Sequence, residues 1–346
     1  MSILIDHWSF DPFLAIVAAV AVLHGLGIHR LCRGAPVARV RRRRREAAWF
    51  YLGLATLVIA VSSPIDYWSD SYFWVHMCQH LLLMFAAPVP ILLGAPWLAL
   101  LRGLPTPLRR GVVRFGARSK WAAPLRSAVR SRRWPLVGVV GLNATIVFWH
   151  LPGPFDLAEE NPMVHIWAMH GSFFLFGMLF WLQLIESRPL RVRLSPAAQM
   201  GAIFATATIM WMLAIALSLC SQASWYGWYR SHEGPMLPAF ADQQIGAGIM
   251  WTCGIFWAVP AMIRSVRRLI DDRGAEGVDA LVDRVLAGRR LFLDPHREGS
   301  RASYTRGLSP VAASHHRPAG VVQGAAGTAT TPALAPRTAL ERQQGP

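Results

Sequence analysis

The residues of this sequence best suited to chemistry are two histidines and two methionines at helical spacing. His76, His80 and Met84 stand four residues apart in a hydrophobic stretch, and Met77 follows His76 directly. On an α-helix, positions four apart share one face. Imidazole and thioether groups suit cuprous copper better than they suit hard cations, and polar side chains inside a membrane are functional candidates. The pattern therefore predicts a copper site on these side chains.

The elements that must position this site are hydrophobic helices. The 346 residues are 53% hydrophobic and 16% charged, and several apolar stretches approach or exceed the ~20 residues that cross a bilayer. We predict an all-α integral membrane bundle of seven transmembrane helices. Their spans lie at about 13–30, 47–63, 74–95, 135–151, 162–185, 197–220 and 243–263.

The distribution of charge predicts how the bundle is oriented. The net charge is +16, but the arginines concentrate in alternate connections between the spans, which is the positive-inside pattern. With seven spans this places the N-terminus outside and the C-terminus in the cytoplasm. It also argues against nucleic-acid binding, because the basic residues belong to membrane loops. The four cysteines are scattered, which disfavours a disulfide framework or a thiolate-only metal site.

The composition also predicts the domain organisation. Residues 1–270 would form the seven-helix transmembrane domain, and residues 271–346 a cytoplasmic tail. The tail is rich in Ala, Gly, Pro and Thr and lacks apolar periodicity, so we expect most of it to be disordered. The start of the chain lacks the basic region of a cleavable signal peptide, and we expect the first span to remain in the mature protein.

The predicted topology brings further histidines to the depth of His76 and His80. His150 ends the fourth span, and His165 and His170 lie in the outer half of the fifth. On an α-helix, positions five apart differ by roughly 140°, so both cannot face one small site. We favour His170 as a ligand and His165 as an interfacial or outer-shell residue. The alternative is that such histidines merely pack and hydrogen-bond between helices.

Four chemistries could use the His76 and His80 pair. A bis-histidine haem needs ligands on two facing helices, and four-helix membrane cytochromes usually space two histidines several turns apart along one helix, a spacing that this chain lacks. A zinc protease needs His-Glu-x-x-His, whose glutamate is missing here. A proton or metal transporter would place carboxylates near the membrane midplane, and the predicted spans contain almost none. Copper binding fits best, since histidine and methionine hold cuprous ions without a buried anion.

Several motifs together resemble one family. The segment His76-Met-Cys-Gln-His80-Leu-Leu-Leu-Met84 with the following prolines is similar to the signature span of the CtaG-type cytochrome c oxidase assembly factors, which are polytopic bacterial membrane proteins. Three more motifs match in the same order, so that the resemblance covers about residues 50–265: Phe148-Trp-His150-Leu-Pro, Gly177-Met-Leu-Phe-Trp181 and Asp242-Gln-Gln-Ile-Gly-Ala-Gly-Ile-Met-Trp251.

The resemblance implies a non-enzymatic role in maturing a haem–copper oxidase in the bacterial plasma membrane. The expected function is to bind cuprous copper in the outer half of the membrane and deliver it to the oxidase catalytic subunit. A soluble copper chaperone is a further possible partner. The alternatives are a metal-free scaffold for oxidase assembly and a haem-binding electron carrier. In the copper hypothesis the ion enters past three residues at the outer end of the seventh span, Asp242, Gln243 and Gln244.

Overall fold

The computed structural model describes residues 7–8, 12–234, 236–273 and 286. These residues form α-helices, two π-helical segments and connecting turns, and no β-strand occurs among them. The first eight α-helices are α1 Pro12–Cys32, α2 Val37–Ser62, α3 Pro64–Ser69, α4 Phe73–Leu81, α5 Pro88–Leu93, α6 Trp97–Gly103, α7 Thr106–Arg118 and α8 Ala123–Arg130. The others are α9 Trp134–Trp149, α10 Pro152–Glu160, α11 Gly171–Trp181, α12 Pro196–Leu219, α13 Gly227–Ser231, α14 Ala239–Thr252 and α15 Gly254–Arg273.

Six helical stretches in the described part of the chain are long and apolar enough to cross a membrane: Phe13–Cys32, Val37–Ser62, Phe73–Leu93, Val164–Trp181, Pro196–Leu219 and Ala239–Asp271. A seventh results if α9 and α10, which meet at an angle of 79°, count as one span. An all-helical, multi-pass membrane protein is thereby confirmed. The count of seven and the orientation of the two termini stay predictions, and the predicted tail lies, except for residues 271–273 and 286, outside the described residues.

The third span is helical throughout but changes its winding in the middle. Between α4 and α5 lies a π-helical segment, Leu82–Ala86, in which the Ala87 N–H bonds the Leu82 carbonyl at 2.8 Å. Pro88 has no N–H to offer the Met84 carbonyl, four residues earlier. The Trp181 indole of α11 donates to that carbonyl instead, at 3.1 Å. Because Pro88 lacks an N–H, the Met84 carbonyl can accept from Trp181, and this hydrogen bond joins the third span to α11.

The α4 and α11 spans approach closely because a glycine faces the π-helical segment. A Cβ added to Gly177 would lie 2.7 Å from the Met84 carbonyl oxygen, nearer than a side chain can approach. Small residues at such crossings let membrane helices pack backbone to backbone. The contact brings the third and fifth spans together, and these spans carry four of the histidines discussed below.

Candidate metal centre

Five histidine rings from three parts of the chain form one buried cluster, which we call the histidine cluster. His76 and His80 lie on α4, His150 follows the last residue of α9, and His165 and His170 lie in the second π-helical segment, Val164–His170. Their residues are between 0 and 9% exposed. The ring centres of His76 and His80 are 4.2 Å apart, and His80 lies 6.0 Å from His150 and 5.7 Å from His170. The histidines singled out in the sequence therefore meet in space.

His165 and His170 both face the cluster, so the expectation that only one of them could do so is wrong. Their Nε2 atoms are 3.0 Å apart. The expectation assumed α-helical winding, but Val164–His170 is a π-helix, and the Gly171 N–H bonds the Ile166 carbonyl five residues back. In a π-helix residue i+5 hydrogen-bonds residue i, so side chains five residues apart point much closer together than they do on an α-helix. The winding therefore places both imidazoles on the same side.

The Nε2 atoms are the ring atoms that converge. The Nε2 atoms of His76 and His80 are 2.7 Å apart, and one ligand atom from each of His76, His165 and His170 falls within 4.8 Å of the others. A tetrahedral ion bound at about 2.0–2.1 Å would hold two such nitrogens roughly 3.3 Å apart. The described side chains therefore need to separate only slightly to accept an ion between them.

Two of the opposite ring nitrogens, the Nδ1 atoms of His150 and His76, lie against hydrogen-bond acceptors, whereas His80 Nδ1 is buried and has no partner among the described residues. His150 Nδ1 donates to the Ile146 carbonyl at 2.6 Å, so Nε2 of the neutral ring is unprotonated and carries a free lone pair. This Nε2 atom lies 3.3 Å from the Met77 sulfur. His76 Nδ1 lies 3.2 Å from the Tyr229 hydroxyl and 3.1 Å from Glu159 Oε1. The Tyr229 hydroxyl itself donates to the Ser69 carbonyl at 2.7 Å, so it accepts from His76. Carbonyl and carboxylate partners of this kind orient metal-ligating histidines.

Glu159 is a site residue that sequence reasoning missed. Its side chain is 1% exposed, and Oε1 lies 3.1 Å from His76 Nδ1 and 3.7 Å from His165 Nδ1. Residue 159 lies between the predicted spans 135–151 and 162–185, whereas the 79° bend after α9 turns α10 towards the cluster. One signal was present: Phe155, Ala158 and Glu159 share a helical face, of which the first two are apolar. The bend then buries that whole face.

These features belong to a protein whose sequence matches a known family. Residues 22–272 match the cytochrome c oxidase caa3 assembly factor family (Caa3_CtaG). The chain belongs to this family. The resemblance seen in the motifs is thereby confirmed.

Curated relatives of this chain occur in mycobacteria. An uncharacterized protein of Mycobacterium leprae is 30% identical over 259 residues, which make up 71% of this chain and 37% of that protein. Uncharacterized proteins of Mycobacterium tuberculosis and Mycobacterium bovis are 29% identical over 255 residues, 71% of this chain and 36% of theirs. The matched part thus spans about a third of the length of these relatives. No solved structure matches the chain.

We predicted that Asp242, Gln243 and Gln244 line an entrance to the site, and the structure gives each of them different surroundings. The Asp242 carboxylate accepts the N–H groups of Phe73 and Trp74, at 2.6 and 2.9 Å, and so caps the start of α4. Gln243 accepts the Trp225 N–H at 2.7 Å and donates to the Leu217 carbonyl at 2.8 Å. Gln244 is exposed. Asp242 and Gln243 therefore hold the scaffold of the site, and an entrance role for all three stays a prediction.

The two predicted methionine ligands also differ in their surroundings. The Met77 sulfur contacts His150 in the histidine cluster. Met84 is buried in the π-helical segment Leu82–Ala86, where its carbonyl accepts the Trp181 indole N–H. Because this segment departs from α-helical winding, Met84 need not continue the His76 and His80 stripe. Met77 is the methionine that the contacts connect with the cluster, and a ligand role for Met84 stays a prediction.

Outside the spans, carboxylates and a phenol surround the edge of the cluster. Desolvation, and then the Glu159 carboxylate, raises the pKa of Asp70 to about 6. Burial, and then Glu159, raises the pKa of Tyr229 well above its usual value. Tyr229 therefore keeps its proton, which agrees with its donation to the Ser69 carbonyl. The neutral phenol can accept from His76 without adding charge to the cluster.

Proposed function

We propose that this assembly factor binds cuprous copper in the histidine cluster and delivers it to the catalytic subunit of the oxidase. The observation that carries the proposal is the orientation of two rings: the Nδ1–H groups of His150 and His76 donate to the Ile146 carbonyl and the Tyr229 hydroxyl, which leaves their Nε2 lone pairs facing the cluster. Neutral imidazoles and the Met77 thioether form a soft to borderline ligand set, which suits cuprous copper. The site lies, in this proposal, in the outer half of the bacterial plasma membrane.

A delivery protein must also release its ion. The cluster offers more imidazoles than one ion of low coordination number needs, so ligands can be exchanged one at a time without leaving the ion bare. The incoming ligands would come from the docked catalytic subunit, and a soluble copper chaperone would load the empty site. The chain's own residues bind and orient the ion, and no bond-making catalysis is required of them.

Copper content of the assembled oxidase tests delivery in the cell. The oxidase would be purified from cells that carry the wild type, the His76→Ala/His80→Ala variant or a His29→Ala/His232→Ala control, whose histidines are exposed. We expect copper per catalytic subunit to fall only with the first variant. If that variant yields fewer oxidase molecules, each with a normal copper content, the proposal is wrong and the protein is a metal-free scaffold.

Glu159 provides a prediction of its own on the purified protein. Since its carboxylate faces the Nδ1 atoms of His76 and His165, Glu159→Gln should leave these rings less firmly oriented. Loss of such an outer partner typically lowers metal affinity by about 10–100-fold. An anaerobic titration with cuprous copper against a chromophoric chelator would measure the change. The control is Glu160→Gln, which removes the same charge from the exposed neighbour, and equal affinities of the two variants would contradict the assignment.

A further inference from the structure

A second group of metal-ligating side chains lies at the edge of the histidine cluster. One ligand atom from each of Asp70, Glu159 and His165 falls within 4.8 Å of the others. Asp70 is exposed and lies between α3 and α4, whereas Glu159 and His165 are buried. The three residues therefore lead from the surface to the cluster, and His165 belongs to both groups.

The surroundings of the Glu159 carboxylate indicate that a cation binds here. Both of its oxygens are buried, and neither makes a hydrogen bond in the described part of the chain. Oε1 faces the Nδ1 atoms of His76 and His165. Oε2 has no hydrogen-bond partner among the described residues. A buried carboxylate without hydrogen bonds is costly, and a second carboxylate nearby, that of Asp70, adds repulsion. A cation between the two would remove both penalties.

We propose that Asp70, Glu159 and His165 form a second metal site, which binds a divalent cation of borderline class such as Zn²⁺. Carboxylate oxygens and imidazole nitrogens both bind Zn²⁺, and sites with three protein ligands leave a fourth position to water. Such a set is harder than the imidazoles and thioether of the histidine cluster and is poorly suited to cuprous copper. The two sites thus differ in the ion they select.

The shared histidine links the two sites. His165 Nδ1 faces Glu159 at 3.7 Å, and its Nε2 faces His170 at 3.0 Å. A neutral imidazole has only one unprotonated nitrogen, so His165 serves one ion at a time. Zn²⁺ on Nδ1 therefore removes a ligand from the histidine cluster and weakens cuprous binding there, and by linkage copper weakens Zn²⁺ binding equally. This antagonism, unlike the Zn²⁺ site itself, rests on the proposed function.

Zn²⁺ titration of the purified full-length protein tests the site directly. A chromophoric chelator would report the Zn²⁺ bound by the wild type, by Asp70→Asn and by the Glu160→Gln control. We expect Asp70→Asn to hold one equivalent fewer than the wild type and Glu160→Gln to hold the same number. Asp70 is exposed and asparagine has nearly its shape, so the fold should tolerate the change. Equal Zn²⁺ binding by the wild type and Asp70→Asn would overturn the proposal.

A cuprous titration with and without Zn²⁺ separates this inference from the proposed function. Without Zn²⁺, Asp70→Asn should bind copper as the wild type does, because Asp70 does not belong to the histidine cluster. With saturating Zn²⁺, copper affinity should fall in the wild type but not in Asp70→Asn. An equal fall in both proteins would mean that Zn²⁺ displaces copper at the histidines themselves, and the antagonism through His165 would be refuted. If neither the wild type nor Asp70→Asn binds cuprous copper tightly, the proposed function is wrong, and the Zn²⁺ result still stands.

Discussion

Purified His76→Ala/His80→Ala protein is expected to lose tight cuprous binding. The two rings contribute Nε2 atoms that lie 2.7 Å apart at the centre of the cluster, and their removal leaves His150, His165 and His170 around a cavity. The affinity should fall by more than about 100-fold, the upper end of the loss caused by removing a mere outer partner. An anaerobic titration against a chromophoric cuprous chelator measures it.

The matched control for this experiment is His29→Ala/His232→Ala. It removes the same number of imidazoles from exposed positions, where the His232 ring stacks on Trp228. The control should bind copper as the wild type does. If both double variants retain wild-type affinity, the histidine cluster does not bind copper. The convergence of the rings would then be packing between helices, as in the scaffold alternative.

Hydropathy was sufficient to predict a membrane bundle, because burial in lipid requires long apolar helices with satisfied backbones. The convergence of His76, His80, His150 and His170 also followed from the order and direction of the spans. Hydropathy and the order of the spans are properties of whole helices, so a local change from α- to π-helical winding does not alter them. The same reasoning could not predict the orientation of an individual side chain.

The position of His165 shows why. A π-helical turn holds about one residue more than an α-helical turn. A side chain after that turn therefore points about 100° away from the direction that α-helical winding predicts. In the third span Pro88 signals such a change, since it cannot bond the Met84 carbonyl, but Val164–His170 contains no proline or glycine. Its winding depends on packing against other spans, which a linear pattern does not contain. The expected angle between His165 and His170 was therefore wrong, and the structure brings both rings into the histidine cluster.

Glu159 was missed for a different reason. Residue 159 lies in a connection between two predicted spans, where a carboxylate is ordinarily solvated and needs no explanation. The bend between α9 and α10 turns the connection into a buried helix, so Glu159 enters the site from outside the predicted spans. Asp242 was singled out for its chemistry, and in the structure its carboxylate caps the start of α4. Charged residues near a span can thus act on the backbone of a neighbouring helix as well as on an ion.

Asp242→Ala is expected to destabilise the protein and to weaken copper binding, although Asp242 touches no histidine. Its carboxylate accepts the Phe73 and Trp74 N–H groups at the start of α4. Without it, two backbone donors at a helix N-terminus lose their acceptor, and each buried unsatisfied donor costs about 1–3 kcal/mol. His76 lies only three residues beyond Phe73, so fraying of α4 would displace a ring of the cluster.

Thermal denaturation in detergent and cuprous titration would measure the two effects of Asp242→Ala together. The expected loss of stability is about 2–5 kcal/mol, since one of the two donors is only part-buried. Asp242→Asn should be milder, because its amide keeps one acceptor oxygen. The control is Gln244→Ala, an exposed position two residues further along the same helix. If Asp242→Ala weakens copper binding while its denaturation temperature stays that of the control, Asp242 acts on the ion itself, as its predicted entrance role would require.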